Sequence, residues 1–176
     1  DGVDFVSGSR DDWGRARRAI ARTGVTSFVP TFITAPVDEL AGALRRTGDF
    51  LESPVPNGAR ALGFHLEGPF LSAERKGAHD EFVMCDPTPA AVESLLTAAD
   101  GRLLIVTMAS ERQHALTAIA QLTSAGVTVS LGHSNADSNN ALAGFAAGAG
   151  MVTHLFNAMP ALGHRDPGLA GVALTD

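Results

Sequence analysis

The sequence predicts an α/β fold on a parallel sheet, a (β/α)8 TIM barrel represented by about five central βα units. Three observations point there. Strand candidates starting near positions 26, 61, 102, 127 and 151 alternate with helix candidates, the rhythm of a parallel sheet. The run Arg102-Leu-Leu-Ile-Val-Thr-Met108 is a continuous apolar stretch, as a strand covered on both faces requires. Glu67, His133 and His154 each end such a run, and barrels carry their chemistry at the C-terminal ends of strands.

Asp11 to Thr23 reads as a helix, with Arg10, Arg15, Arg17, Arg18 and Arg22 on its polar side and Gly24 as its stop. A strand over Thr26–Phe32 follows, weakened after Pro30 because proline cannot donate to a sheet ladder. A helix from Val37 to about Leu51 and a Pro/Gly-rich turn lead into the strand Ala61–Glu67. Gly68 to Cys85 is long, polar and without period, and such loops inside a domain tend to be functional or disordered. Thr88 starts a helix with Pro89 in its first turn. Further helices are expected over Glu111–Ser124 and Asp137–Ala147, and strands over Val127–His133 and Met151–Phe156.

At 176 residues the chain can bury one substantial core, but a closed eight-stranded barrel typically needs about 250. The chain therefore reads as a single barrel segment, residues 1–176, lacking its first strand and its last two. The absence of an initiator Met and the ending Leu174-Thr175-Asp176 suggest an internal piece of a longer chain. A complete five-stranded doubly wound domain is the structural competitor.

A net charge of −6 argues against nucleic acid or an anionic membrane as partner, though a local Arg can still bind a small anion. Cys85 is the only cysteine, so no intrachain disulfide can form, and a cytoplasmic location is expected. No apolar run is long enough to span a bilayer.

A carboxylate with two imidazoles is a common ligand set for a catalytic divalent ion with an open position for water. Such mixed nitrogen and oxygen donors suit zinc and also Fe, Mn or Co. Each residue has a plainer reading alone: Glu67 as a buried acid paired for structural reasons, the histidines as hydrogen-bonded core or surface groups. Equivalent placement on three strands favours the metal. Strand alternation puts His65 on the face of Glu67, one layer deeper. Asn135 or Asp137 can cap the helix after His133. His79, in the long loop, is a substrate-contact candidate or an exposed loop residue. His114 is expected on a helix and exposed to solvent. Arg165, between Gly163 and Gly168, suits bidentate phosphate recognition better than its neighbour His164. No residue convincingly fills the acid/base role that hydrolysis needs.

Four segments together resemble the N-acetylglucosamine-6-phosphate deacetylase family of the metal-dependent amidohydrolases. They are Gly63-Phe-His-Leu-Glu-Gly-Pro-Phe70, Lys76-Gly-Ala-His79, Gly132-His-Ser-Asn-Ala136, and Thr153-His-Leu-Phe-Asn-Ala-Met-Pro160 continued by Arg165-Asp-Pro-Gly-Leu-Ala-Gly171. The resemblance implies an amidohydrolase-type barrel in which Glu67, His133 and His154 bind the metal. It implies a sugar-phosphate partner held by Asn157, the Ala158 backbone and Arg165, with Ala78 and His79 lining the pocket. The implied reaction is attack of a metal-activated water on the acetamide of N-acetylglucosamine 6-phosphate, releasing acetate in amino-sugar catabolism. A homodimer is implied as well.

Departures from the family pattern are mainly absences. A first-strand metal-side motif would precede Asp1, and a substrate-binding His and the catalytic Asp would lie beyond Asp176. Ser110 stands where the family carries Pro. A deacetylase of the galactosamine epimer, a non-catalytic metal- or sugar-phosphate-binding module, and a segment that does not fold stably alone are the alternatives.

Overall fold

The computed structural model describes residues 2–175. Several of its helices begin where short polar side chains satisfy the first free amides. Ser9 and Asp12 form a reciprocal capping box that starts α1 (Arg10–Ala21). Gly24 follows it at φ +90°, a conformation that favours glycine.

The expected first strand divides. β1 (Ser27–Phe28) and β2 (Thr31–Ile33) flank Pro30, whose carbonyl accepts from the amide of His65. α2 (Val37–Glu52), β3 (Arg60–Ala61) and β4 (Phe64–Glu67) come next. The long segment after Glu67 is held by 3-10 turns at Ala73–Arg75 and Glu81–Val83. Thr88 caps α3 (Pro89–Ala99), which ends in a left-handed Asp100 before β5 (Leu103–Met108). α4 (Ala115–Ser124) starts four residues later than the expected Glu111, with exposed His114 as its N-cap. After β6 (Thr128–Leu131), Asp137 caps α5 (Ser138–Ala146) by accepting from the amide of Asn140. β7 is confined to Met151–Val152, not the expected Met151–Phe156, and α6 (Gly168–Thr175) closes the described chain.

All strand pairs are parallel, and the main sheet runs β2-β4-β5-β6-β7, with β1 and β3 forming a separate two-stranded ladder. The order follows the chain without the reversal that defines a doubly wound sheet, so the competitor fold is excluded. Each helix packs beside the next, α1 on α2 through α5 on α6, as a single layer. Under that layer, Phe32, Leu66, Val106 and Val129 are aligned across four strands, each at most 1% exposed. They pack with Leu40, Leu44, Val92, Leu95, Ile119 and Leu122 from the helices in one core. The sheet is an arc of five barrel strands, and it does not close among the described residues.

The opposite face carries polar groups. Thr31, His65, Thr107, Ser130 and Thr153 link five successive strand positions through side-chain hydrogen bonds of 2.7–3.0 Å. This is the layer below Glu67 in which alternation placed His65. One expectation fails in α1: Arg17 is 5% exposed and lies in the core side of the helix, not on its polar stripe. No helix among the described residues is long and apolar enough to cross a membrane.

Candidate metal centre

The end of β4 and the turns that follow β6 and β7, all at the C-terminal edge of the sheet, bring Glu67, His133 and His154 together. Glu67 Oε1 lies 2.8 Å from His154 Nε2 and 3.2 Å from His133 Nε2, and one potential ligand atom from each residue falls within a 4.8 Å group. Glu67 and His133 are largely buried, whereas His154 is about half exposed. Both histidines have left-handed backbones, φ +46° at His133 and +55° at His154. Such a conformation costs about 1–3 kcal/mol for a non-glycine residue and is concentrated at functional sites. It turns each imidazole back over the strand end toward Glu67, and it also explains why β7 stops before His154.

His133 Nδ1 lies 2.8 Å from the Arg75 carbonyl. A carbonyl only accepts, so Nδ1 carries the proton and Nε2 is the atom left to face Glu67. To donate to Glu67 as well, the ring must be an imidazolium, and the hydrogen bond to Glu67 accordingly raises its pKa. The reciprocal effect holds the Glu67 carboxyl at about 2, chiefly through the His133 hydrogen bond and against the penalty of burial. Burial lowers the pKa of His65 and of His79, keeping both neutral.

A divalent ion fits this donor set. Ligand bonds of about 2.0–2.1 Å in tetrahedral geometry space the donors about 3.3 Å apart. The two Glu67 Oε1 contacts, at 3.2 and 2.8 Å, are close to that spacing, and the ion would replace the proton on His133 Nε2. Three protein donors leave a position open.

The same cleft, of about 530 Å³, is lined by Ile33, Arg75, Ala78, His79, Asn157 and Ala158 as well as the three donors. His79 is buried, not an exposed loop residue; its Nδ1 accepts weakly from the Thr34 amide at 3.4 Å, and its Nε2 faces Glu67 Oε2 at 3.8 Å. Arg165 is exposed and does not line the cleft. The neighbouring Asp166 ties that segment to α5 by accepting from the amides of Ser138 and Gly168. Sequence reading missed Arg75, which serves through its backbone carbonyl, and Thr34, whose hydroxyl donates to the Glu67 carbonyl at 3.1 Å.

Gly68 completes the turn after Glu67 at φ +93°, where a Cβ would stand 2.0 Å from Thr34 Oγ1. Gly68→Ala therefore combines backbone strain with overpacking and should destabilise the protein by about 2–3 kcal/mol. A denaturant melt of the variant within experimental error of the parent would contradict this.

No protein-family model matches the chain. Among curated proteins it is 41% identical to the N-acetylglucosamine-6-phosphate deacetylase of Bos taurus, over 99% of this chain and 44% of that protein. It is 37% identical to an N-acetylgalactosamine-6-phosphate deacetylase of Escherichia coli O157:H7, over 99% of this chain and 46% of the relative. The crystal structure of the N-acetyl-D-glucosamine-6-phosphate deacetylase of Mycobacterium smegmatis superposes with a TM-score of 0.93 at 36% identity, across 99% of this chain and 45% of that one. A mutant of that enzyme, solved with N-acetyl-D-glucosamine-6-phosphate, superposes equally well. The chain spans a little under half the length of the curated relatives it matches, and over that span it is a relative of the N-acetylglucosamine-6-phosphate deacetylases.

Proposed function

We propose that the protein contributes the metal- and substrate-binding part of a deacetylase that hydrolyses N-acetylglucosamine 6-phosphate to glucosamine 6-phosphate and acetate. The observation that carries this reading is the convergence of Glu67, His133 and His154 in a cleft also lined by Ala78, His79, Asn157 and Ala158. Glu67, His133 and His154 would hold the ion, zinc in the first instance. When bound, such an ion supplies Lewis acidity, polarising an amide carbonyl and bringing the pKa of a water toward neutrality.

The chain's own groups have separable tasks. Arg75 holds His133 through Nδ1, so the ring presents Nε2. The Thr34 amide occupies His79 Nδ1, leaving its Nε2–H to donate to a substrate oxygen in the cleft. Asn157 and Ala158, with Arg165 from the same connecting segment, would take the phosphate end. A cytoplasmic homodimer that contains the whole barrel, with the acid/base on a strand outside this chain, completes the proposal.

The test is metal analysis joined to an acetate-release assay. The purified protein should bind zinc stoichiometrically, lose it to a chelator, and bind N-acetylglucosamine 6-phosphate only when loaded. Failure to bind any divalent ion would overturn the proposal. The Escherichia coli O157:H7 relative motivates a second substrate, and kcat/KM for the two epimeric phosphates would choose between them. Ligand binding without turnover, even in the whole barrel that carries the acid/base, would favour a binding module.

A further inference from the structure

The turn between β5 and α4 holds a carboxylate that touches no proposed ligand yet grips the loop carrying one. Glu111 Oε2 accepts from the Ser134 hydroxyl at 2.6 Å, and its Oε1 accepts from the Asn135 amide at 2.5 Å. Those residues directly follow His133. The Asn135 side chain accepts from Arg75 Nε at 2.8 Å and also bonds Glu74. The Arg75 carbonyl accepts from His133 Nδ1 at 2.8 Å. The contacts thus form a closed circuit: Glu111 to Asn135, Asn135 to Arg75, Arg75 to the His133 ring, and back through Ser134 to Glu111. The Ser72 amide donates to the His133 carbonyl from outside the circuit.

We infer that Glu111 is a positioning residue: it holds the left-handed turn at His133 and, through Asn135 and Arg75, fixes which imidazole nitrogen faces Glu67. The inference rests on the metal-site reading for its functional meaning. A left-handed non-glycine residue needs its surroundings to hold it. Here the amide and hydroxyl just after the turn meet a single bidentate acceptor. The carboxylate suits the task because both of its partners are donors. Glutamine can still serve, since its amide oxygen accepts from Asn135 and its NH₂ can donate to a rotated Ser134 hydroxyl. Alanine leaves the Asn135 amide and the Ser134 hydroxyl without that partner, and the loop loses its anchor on the turn after β5.

The test compares Glu111→Ala and Glu111→Gln with the parent by two readouts. In metal-free protein, imidazole ¹H–¹⁵N spectra should show a protected Nδ1–H for His133 in the parent and Glu111→Gln, and rapid exchange of that proton in Glu111→Ala. Zinc affinity should fall about 10–100-fold in Glu111→Ala, as for other groups that orient metal ligands, and recover to within a few-fold in Glu111→Gln. A protected Nδ1–H and parental zinc affinity in a folded Glu111→Ala overturn the inference, even if its melting temperature falls. Should Glu111→Ala not fold, Ser134→Ala breaks one arm alone and must still speed Nδ1–H exchange; no change there overturns it too. Absence of zinc binding in the parent would sink the metal-site reading, while the imidazole spectra still decide the positioning role.

Discussion

Glu67→Gln is expected to lower affinity for a divalent ion by more than about 100-fold, the upper end of what removing an outer-shell partner costs, and to abolish any turnover that depends on the ion. The substitution keeps the shape of the side chain and removes the charge on which the site turns. Glu67 Oε1 is the atom shared by His133 and His154, so it stands at the centre of the donor set. Elemental analysis after dialysis and the acetate-release assay read the two losses. Unchanged metal content would remove Glu67 from the ligand set.

The same variant has a metal-free signature with a defined sign. The folded Glu67 carboxyl titrates at about 2 against an ordinary 4.5, so its stabilising contribution is complete above 4.5 and is lost as pH falls toward 2. His133 is shifted up from 6.5, so its contribution is complete below 6.5 and fades as pH rises through the raised value. The stability gap between parent and Glu67→Gln should thus be widest between pH 4.5 and 6.5 and narrow on both sides. Thermal melts of chelated protein across that range measure it.

The elements whose signals are local are legible in the sequence. Thr88 and Asp137 cap the helices expected of them, and Gly24 ends the first, because capping chemistry acts over a few residues. Glu67, His133 and His154 stand out because their chemistry is out of place at the ends of apolar runs, and the fold brings the three together. What was illegible depends on distant partners. Glu111 and Arg112 suit a helix, but Glu111 is drawn to Ser134 and Asn135 and Arg112 to Asp86, so α4 begins only at Ala115. Leu155 and Phe156 look like the continuation of a strand. Yet His154 and Phe156 are left-handed, at φ +55° and +74°, far from the extended backbone that regular strand pairing requires. The Arg75 carbonyl leaves no trace in a side-chain pattern.

Arg17 is the plainest misreading, and Arg17→Met should destabilise the protein by about 3 kcal/mol, the sum expected for orphaning one buried and two partly buried acceptors, toward the lower end of about 1–3 kcal/mol each, less the relief of a buried charge. By periodicity Arg17 belongs with the other arginines of α1 on a solvated stripe. In the fold its Nε donates to the Ala59 carbonyl at 2.8 Å, and its Nη1 donates to the carbonyls of Phe50 and Ser53 at 3.2 and 2.8 Å. Phe50 lies in the last turn of α2 and Ser53 is its C-cap, where carbonyls lack intrahelical partners and favour a cation. Burial lowers the guanidinium's pKa, but arginine remains charged. One side chain thereby ties α1 to the end of α2 and to the approach to β3, and no carboxylate is needed. Methionine keeps the aliphatic stem and loses the fork. Lysine keeps the charge but, as a single point donor, cannot reach three diverging carbonyls, so Arg17→Lys should recover only part of the loss. For a domain of this size the methionine variant should melt roughly 10 °C below the parent. A melt within 2 °C of the parent would mean that water satisfies those carbonyls as well as Arg17 does. Zinc affinity of whatever remains folded should be unchanged, because the clamp lies at the end of α2 and the approach to β3 and shares no contact with Glu67, His133 or His154.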